Sequence, residues 1–269
     1  MRIFILGTGR MGAWLTEELC LEHELLVYDG DPERMKYFIR VQRAVDLGEV
    51  KAFAPDLFVN SVTLGETTKA FDAVLPLLPP DCIIADIASV KTGLEEYYRE
   101  KGRPFVSSHP MFGPTFANIR DLSGESAVII EESDPRGKAF FRDLYSRLGI
   151  RVLEKSFAEH DRTMAYSLAT PFASTMVFAA CMEPHDAPGT NFKRHLAIAK
   201  GLLSEDDRLL AEIMFNPLVP RQLELIGSKL TWLSHIIKAR DFDEMTRFVR
   251  GLRENVAAYE KAAAESATK

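Results

Sequence analysis

An α/β fold followed by a helical C-terminal segment is predicted by three observations. Short apolar runs alternate with helix-like segments up to about residue 155. A glycine-rich turn, Gly7-Thr8-Gly9-Arg10-Met11-Gly12, lies between the first apolar run and the first helix. Beyond about Ser156 only helical patterning remains. Strands alternating with helices argue for a parallel, doubly wound sheet. The glycine turn makes it the Rossmann-type, dinucleotide-binding variant. The expected organisation is a dinucleotide-binding domain over residues 1–155 and an all-α domain over residues 156–269.

The elements follow in order. Arg2–Leu6 is an apolar run that stops at Gly7, and Arg10–Leu21 has helical character. Leu25–Tyr28 is a second run, stopped by Asp29. Leu57–Asn60 and Cys82–Ala85 read as buried strands, and Thr67–Leu78 between them carries apolar residues at helical spacing. Phe105–Ser107, Ala127–Ile130 and Arg151–Leu153 complete the strands, with a helix over Gly137–Leu148 before the last. In the second domain Met164–Cys181 is apolar nearly all round, the pattern of a helix buried on most sides. Within Gln222–Lys238, residues Leu223, Ile226, Leu230, Leu233 and Ile237 alternate spacings of three and four. Met245, Phe248, Leu252, Val256 and Tyr259 repeat that heptad seam. It suits either an intramolecular helix pair or an interface between two copies.

Bulk properties narrow the function. The 269 residues are 46% hydrophobic and 27% charged, with a formal net charge of -6. A mildly acidic chain is a poor partner for nucleic acid, which needs basic patches. No run of eighteen apolar residues predicts a membrane span, and the N-terminus lacks a signal-peptide cleavage site. The cysteines Cys20, Cys82 and Cys181 are far apart, with no metal-ligand spacing, and read as buried free thiols in a reducing compartment. No metal site and a cytoplasmic location are expected.

The cofactor site is the best-defined motif. Gly7 permits the tight turn, Gly9 lets the backbone approach a pyrophosphate, and Gly12 lets helix and strand pack closely. Arg10 and Met11 open the helix, whose N-terminus offers unpaired N–H groups to phosphate. Asp29 lies 22 positions beyond Gly7 at the end of the second strand, near the spacing of about 20 expected of a ribose-binding carboxylate. It favours NAD and repels the extra phosphate of NADP, although Arg34 nearby could tolerate that phosphate. Ser61 and Thr63 follow the Leu57–Asn60 strand. They are either ribose contacts or caps of the next helix.

Three further motifs carry chemistry. They are Ala88-Ser89-Val90-Lys91, the run Ser107-Ser108-His109-Pro110-Met111-Phe112-Gly113-Pro114, and Glu159-His160-Asp161. On residue type alone, Ser89 is a helix N-cap, Lys91 a solvated first-turn residue, and Glu159-His160-Asp161 a helix cap or brace. His109 stands apart because flanking prolines and a glycine fix its backbone, and imidazole suits proton transfer near neutral pH.

Together these motifs resemble the prephenate dehydrogenases of tyrosine biosynthesis. The resemblance implies oxidation of the prephenate C4 hydroxyl by NAD, with loss of the ring carboxylate as carbon dioxide. It makes His109 the catalytic acid–base group, hydrogen-bonded by Ser89. It places Lys91, Ser108 and Thr115 on the substrate side, with Arg221 as the best match for the cation that holds the side-chain carboxylate and Arg194 and Lys193 as competitors. It also implies a homodimer through the C-terminal helices. Phe172 stands where many relatives carry a histidine, and Pro114-Thr115 where some continue with Thr–Glu. Three other readings stay open: an arogenate dehydrogenase, another reductase of the same two-domain plan, and a non-catalytic NAD-binding module.

Overall fold

The protein, described by a computed structural model over residues 1–113, 117–184 and 186–267, begins with the expected alternation. It runs β1 (Arg2–Leu6), α1 (Arg10–Leu19), β2 (Glu24–Tyr28), β3 (Gln42–Arg43), α2 (Glu49–Phe53), β4 (Leu57–Asn60) and α3 (Thr67–Val74). It continues β5 (Ile83–Asp86), α4 (Leu94–Lys101), β6 (Phe105–Pro110), β7 (Ser126–Ile130), α5 (Pro135–Arg147) and β8 (Arg151–Lys155). The helices α6 (Phe157–Ser167), α7 (Ala169–Ala180), α8 (Thr190–Leu202), α9 (Asp207–Met214), α10 (Val219–Ala239) and α11 (Phe242–Ala267) follow.

The strands form one sheet in the order β3-β2-β1-β4-β5-β6-β7-β8. Pairing is parallel from β3 to β6, antiparallel between β6 and β7, and parallel again between β7 and β8. The single antiparallel step departs from a purely parallel sheet. The strand order reverses beside β1, which lies between β2 and β4. Such a switch point opens a crevice at the carboxyl ends of the strands, where ligands of doubly wound sheets bind.

Side-chain alternation along each strand builds a core on both faces. Ile3, Ile5, Val27 and Val59 join Leu15 and Leu19 of α1 and Phe141 of α5 on one side. Phe4, Phe58 and Ile84 join Phe71 of α3, Tyr97 and Tyr98 of α4 and Phe157 of α6 on the other. Of the three thiols expected to be buried, Cys82 is buried, Cys20 is half-buried and Cys181 is exposed. Burial pushes the Cys82 thiol up to about 12, so it is an inert core residue rather than a nucleophile.

The chain packs as two compact units, Met1–Val219 and Pro220–Lys269. The sheet ends at Lys155 and the first following helix starts at Phe157, so α6 to α9 belong to the first unit. The single helix expected over Met164–Cys181 is instead two, α6 and α7, divided at Leu168. Pro171 supplies the reason. It has no N–H for the Ser167 carbonyl and is tolerated only in the first turn of a helix. α7 is also less buried than expected: Ala169 and Ala173 are buried, whereas Val177 is 56% exposed. In the second unit, α10 and α11 carry the heptad seam, and Leu223, Leu230, Ile237, Leu252, Val256 and Tyr259 are all exposed. Among the described residues no helix is long and apolar enough to cross a membrane, and no cluster of ligating side chains could hold a metal ion.

Candidate active site

The glycine turn between β1 and α1 forms the floor of the crevice. Gly7 adopts φ 91°, and its N–H donates to the Tyr28 carbonyl at 2.8 Å. Gly9 caps α1 without a side-chain bond. A Cβ there would meet nothing within 4 Å, so the space above its backbone is open. The first N–H groups of α1 have no intrahelical acceptor, and no acidic residue lies in its first turn. This fits a phosphate at a helix N-terminus. At Gly12 a Cβ would collide with the Gly7 carbonyl oxygen and lie 2.6 Å from the Ser61 hydroxyl. Backbone cannot yield as a flexible side chain can. Gly12→Ala is therefore expected to cost about 1–3 kcal/mol of stability and to abolish the thermal shift that nucleotide produces. An unchanged shift on adding nucleotide would contradict that packing role.

Asp29, 8% exposed, ties the ends of the crevice together. One carboxylate oxygen accepts the Thr8 N–H at 2.7 Å and the Thr8 hydroxyl at 3.1 Å, and the other accepts the Asp31 N–H at 2.9 Å. A carboxylate has about four acceptor sites, so ribose hydroxyls can still be received. Arg34 stands 3.9 Å away. Ser61 holds the turn: its hydroxyl lies 2.6 Å from the Gly7 carbonyl and 3.0 Å from that of Leu6. Its one proton is thus committed to the turn. Thr63 is exposed and makes no side-chain cap bond, so the capping alternative does not describe it. Arg10 pairs with Glu205 at 3.0 Å, and Met11 packs partly against the core.

The second half of the site lies where β6 changes partners. Ser107 is paired with Asp86 of β5, whereas His109 is paired with Val128 of β7. The following loop returns to the crevice, with Phe112 edge-on to Trp14 of α1 at 5.2 Å between ring centroids. His109 is buried, and its Nδ1 lies 3.0 Å from Nε2 of His160. His160 is fully buried, and its Nδ1 lies 3.3 Å from an Asp161 carboxylate oxygen. Ser156 and Glu159 form a capping box at the start of α6. That uses Glu159 as a cap, as expected, and turns His160 inward. Burial pushes the His109 imidazole well below the ordinary histidine range, and His160 and the Lys91 ammonium add to the effect. Burial lowers His160 as well, against the pull of Asp161.

Beneath the two histidines lies a closed ionic network. Lys91 and Asp86 form an ion pair in which both side chains are fully buried. The Lys91 ammonium also donates to the Ser108 carbonyl at 2.7 Å, and the Tyr98 hydroxyl donates to Asp86 at 2.6 Å. Burial pulls the Lys91 ammonium down and Asp86 opposes it.

Several sequence expectations change here. Lys91 is neither a solvated first-turn residue nor presented to a substrate, because its charge is neutralised inside the protein. Ser108 is fully buried: strand alternation points it away from His109, and its hydroxyl lies 2.7 Å from that of Tyr145 and donates to the Val128 carbonyl. Ser89 is half-buried and is not a helix cap, since α4 starts at Leu94 after Gly93. No Ser89–His109 hydrogen bond forms, and the His109 Nδ1 faces His160 instead. Thr115 lies outside the described residues. Arg221 is exposed in the first turn of α10, in the second unit, and Phe172 is half-buried on α7. The sequence marks His160 only as a cap or brace, and neither its contact with His109 nor the Asp86 counter-charge of Lys91 is legible there.

Residues 13–137 match the family model of the prephenate dehydrogenase nucleotide-binding domain. A T-protein of Enterobacter agglomerans is 26% identical over 180 residues, covering 62% of this chain and 48% of that protein. A probable arogenate/prephenate dehydrogenase of Methanocaldococcus jannaschii is 24% identical over 212 residues, covering 72% of this chain and 46% of that one. The chain thus spans about half the length of the curated relatives it matches. The crystal structure of prephenate dehydrogenase from A. aeolicus, in complex with hydroxyphenyl propionate and NAD+, superposes with a TM-score of 0.81. It is 18% identical, and the match covers 95% of this chain and 96% of that one, which shows a shared fold.

Proposed function

With residues 13–137 assigned to the prephenate dehydrogenase nucleotide-binding family, we propose that this chain catalyses NAD-dependent oxidative decarboxylation of prephenate to 4-hydroxyphenylpyruvate. The observation that carries the reading is a buried His109 on the strand whose following loop packs against the helix of the glycine turn. Solved relatives include a complex with NAD+ and an aromatic ligand, which supports both halves of the proposal.

The residues divide the work. Gly7, Gly9 and Gly12, with the N–H groups of Arg10 and Met11, receive the pyrophosphate, and Asp29 receives the adenosine ribose. Ser61 holds the glycine turn, and Thr63 is free to reach the ribose side. The nucleotide held by these groups would supply a hydride acceptor for the hydrogen on C4. His109 accepts the C4 hydroxyl proton as the carbonyl develops. The bond from the ring to its carboxylate then breaks, carbon dioxide leaves, and that electron pair completes the aromatic ring. The proton returns from His109 to the phenol oxygen, so no proton is gained or lost overall. Ser89 and Thr115 are proposed to contact the substrate around the reacting carbon. Arg221 is proposed for the side-chain carboxylate, which a guanidinium can bind in bidentate fashion. The exposed seam on α10 and α11 supports association of two copies, and a cytoplasmic location suits the free thiols.

NADH formation should be compared with prephenate and arogenate, each offered NAD and NADP. Turnover is expected with prephenate and NAD, and at least tenfold less with NADP because of Asp29. Turnover with arogenate alone would keep the chemistry and reassign the side-chain pocket. Nucleotide binding with no turnover of either would favour a non-catalytic module.

A further inference from the structure

We propose that His160 and Asp161 are positioning residues that keep the His109 proton on Nδ1 and so leave Nε2 as the lone pair that meets the substrate hydroxyl. This deepens the reaction proposed above and rests on it for its purpose, but not for its geometry.

The direction of each bond follows from the far end of the chain. The Asp161 carboxylate is surrounded by donors: the Thr92 hydroxyl at 3.2 Å and the Lys91 backbone N–H at 3.4 Å. An ionised carboxylate only accepts, so the His160 Nδ1 at 3.3 Å carries hydrogen. A neutral imidazole has one N–H, which leaves the His160 Nε2 as a lone pair. His109 Nδ1, at 3.0 Å, must then donate to it. The second ring nitrogen of His109 is left as the acceptor. The opposite arrangement would set a bare His160 nitrogen against a carboxylate.

Burial disfavours a charge on either ring, lowering His160 and pushing His109 well below the ordinary histidine range. The charged groups nearby are Asp161, Asp86 and the Lys91 ammonium. Lys91 opposes protonation of either ring. When His109 takes a proton at Nε2, its Nδ1–H stays donated to His160, whose own N–H points to Asp161. The logic is that of a Ser-His-Asp triad, in which a carboxylate sets the tautomer of the base. Here the carboxylate acts across two imidazole rings.

The test is NMR of the full chain carrying isotope-labelled histidine, with the His109 signals identified by their absence in His109→Asn. The expected spectrum has His109 protonated at Nδ1 and bare at Nε2. A His109 protonated at Nε2 in the wild type would overturn the proposal. Because this reading needs no substrate, it stands or falls apart from the assigned reaction. Two variants add a kinetic arm. His160→Gln retains an acceptor for His109 and is expected to keep kcat within about threefold. His160→Phe has no acceptor and is expected to mix the tautomers and lower kcat at least tenfold, a part of the roughly 100- to 10,000-fold that a positioned acid–base group supplies. Nucleotide affinity should be unchanged in both. Equal kcat for the Gln and Phe variants, with His109 still protonated at Nδ1 in the Phe variant, would also overturn it.

Discussion

His109→Asn is expected to lower kcat by about 1,000-fold, inside the range attributed to general acid–base groups, with nucleotide affinity unchanged. Asparagine can keep a hydrogen bond to His160 Nε2 through its amide N–H, so the packing beneath it survives. It cannot take a proton from the C4 hydroxyl. The glycine turn and Asp29 are untouched, so NAD should titrate as in the wild type. The pH profile provides a second check. Because burial, His160 and Lys91 all push the His109 imidazole down, it stays unprotonated below the ordinary histidine pKa of about 6.5. The acid limb of kcat/KM should therefore fall only below about pH 6.5 in the wild type. A variant with near-normal turnover would remove His109 from the chemistry.

Lys91→Met is expected to destabilise the first unit by about 3–5 kcal/mol, the cost of leaving one member of a buried ion pair uncompensated. Both Lys91 and Asp86 side chains are fully buried, so water cannot screen the loss. Tyr98 and the Ala88 N–H would still donate to Asp86, which places the cost at the lower end. For a unit of this size that corresponds to a fall in Tm of roughly 10 °C. The double variant Lys91→Met with Asp86→Asn should recover part of it, since no buried charge remains. A double variant as unstable as the sum of the two singles would show that the pair is not coupled. The same lysine grips the Ser108 carbonyl beside His109, so the single variant should also lose activity at temperatures where it stays folded.

Much of this was legible in the sequence, for physical reasons that vary by element. β1, β4 and the glycine turn were readable because a buried parallel strand is a continuous apolar run and the turn needs glycine at fixed positions. β3 is two exposed residues, Gln42 and Arg43, with no periodicity to detect. α4 carries Leu94, Tyr97 and Tyr98 at helical spacing, but its run of charges hides them. The reversal at β7 left no trace, because a buried strand reads the same in either direction. His109 is singled out in the sequence by its local frame. Its contact with His160 is not legible there, because the two are 51 residues apart and only the fold brings them together. Lys91 was read as a surface or substrate charge because sequence does not show burial, and its counter-charge Asp86 was buried with it.

The most direct test follows NADH and 4-hydroxyphenylpyruvate together in one reaction of the full chain with prephenate and NAD. The two products should rise in equal amounts in the wild type, and neither should rise in His109→Asn. NAD binding without either product from prephenate or from arogenate would contradict the proposed function.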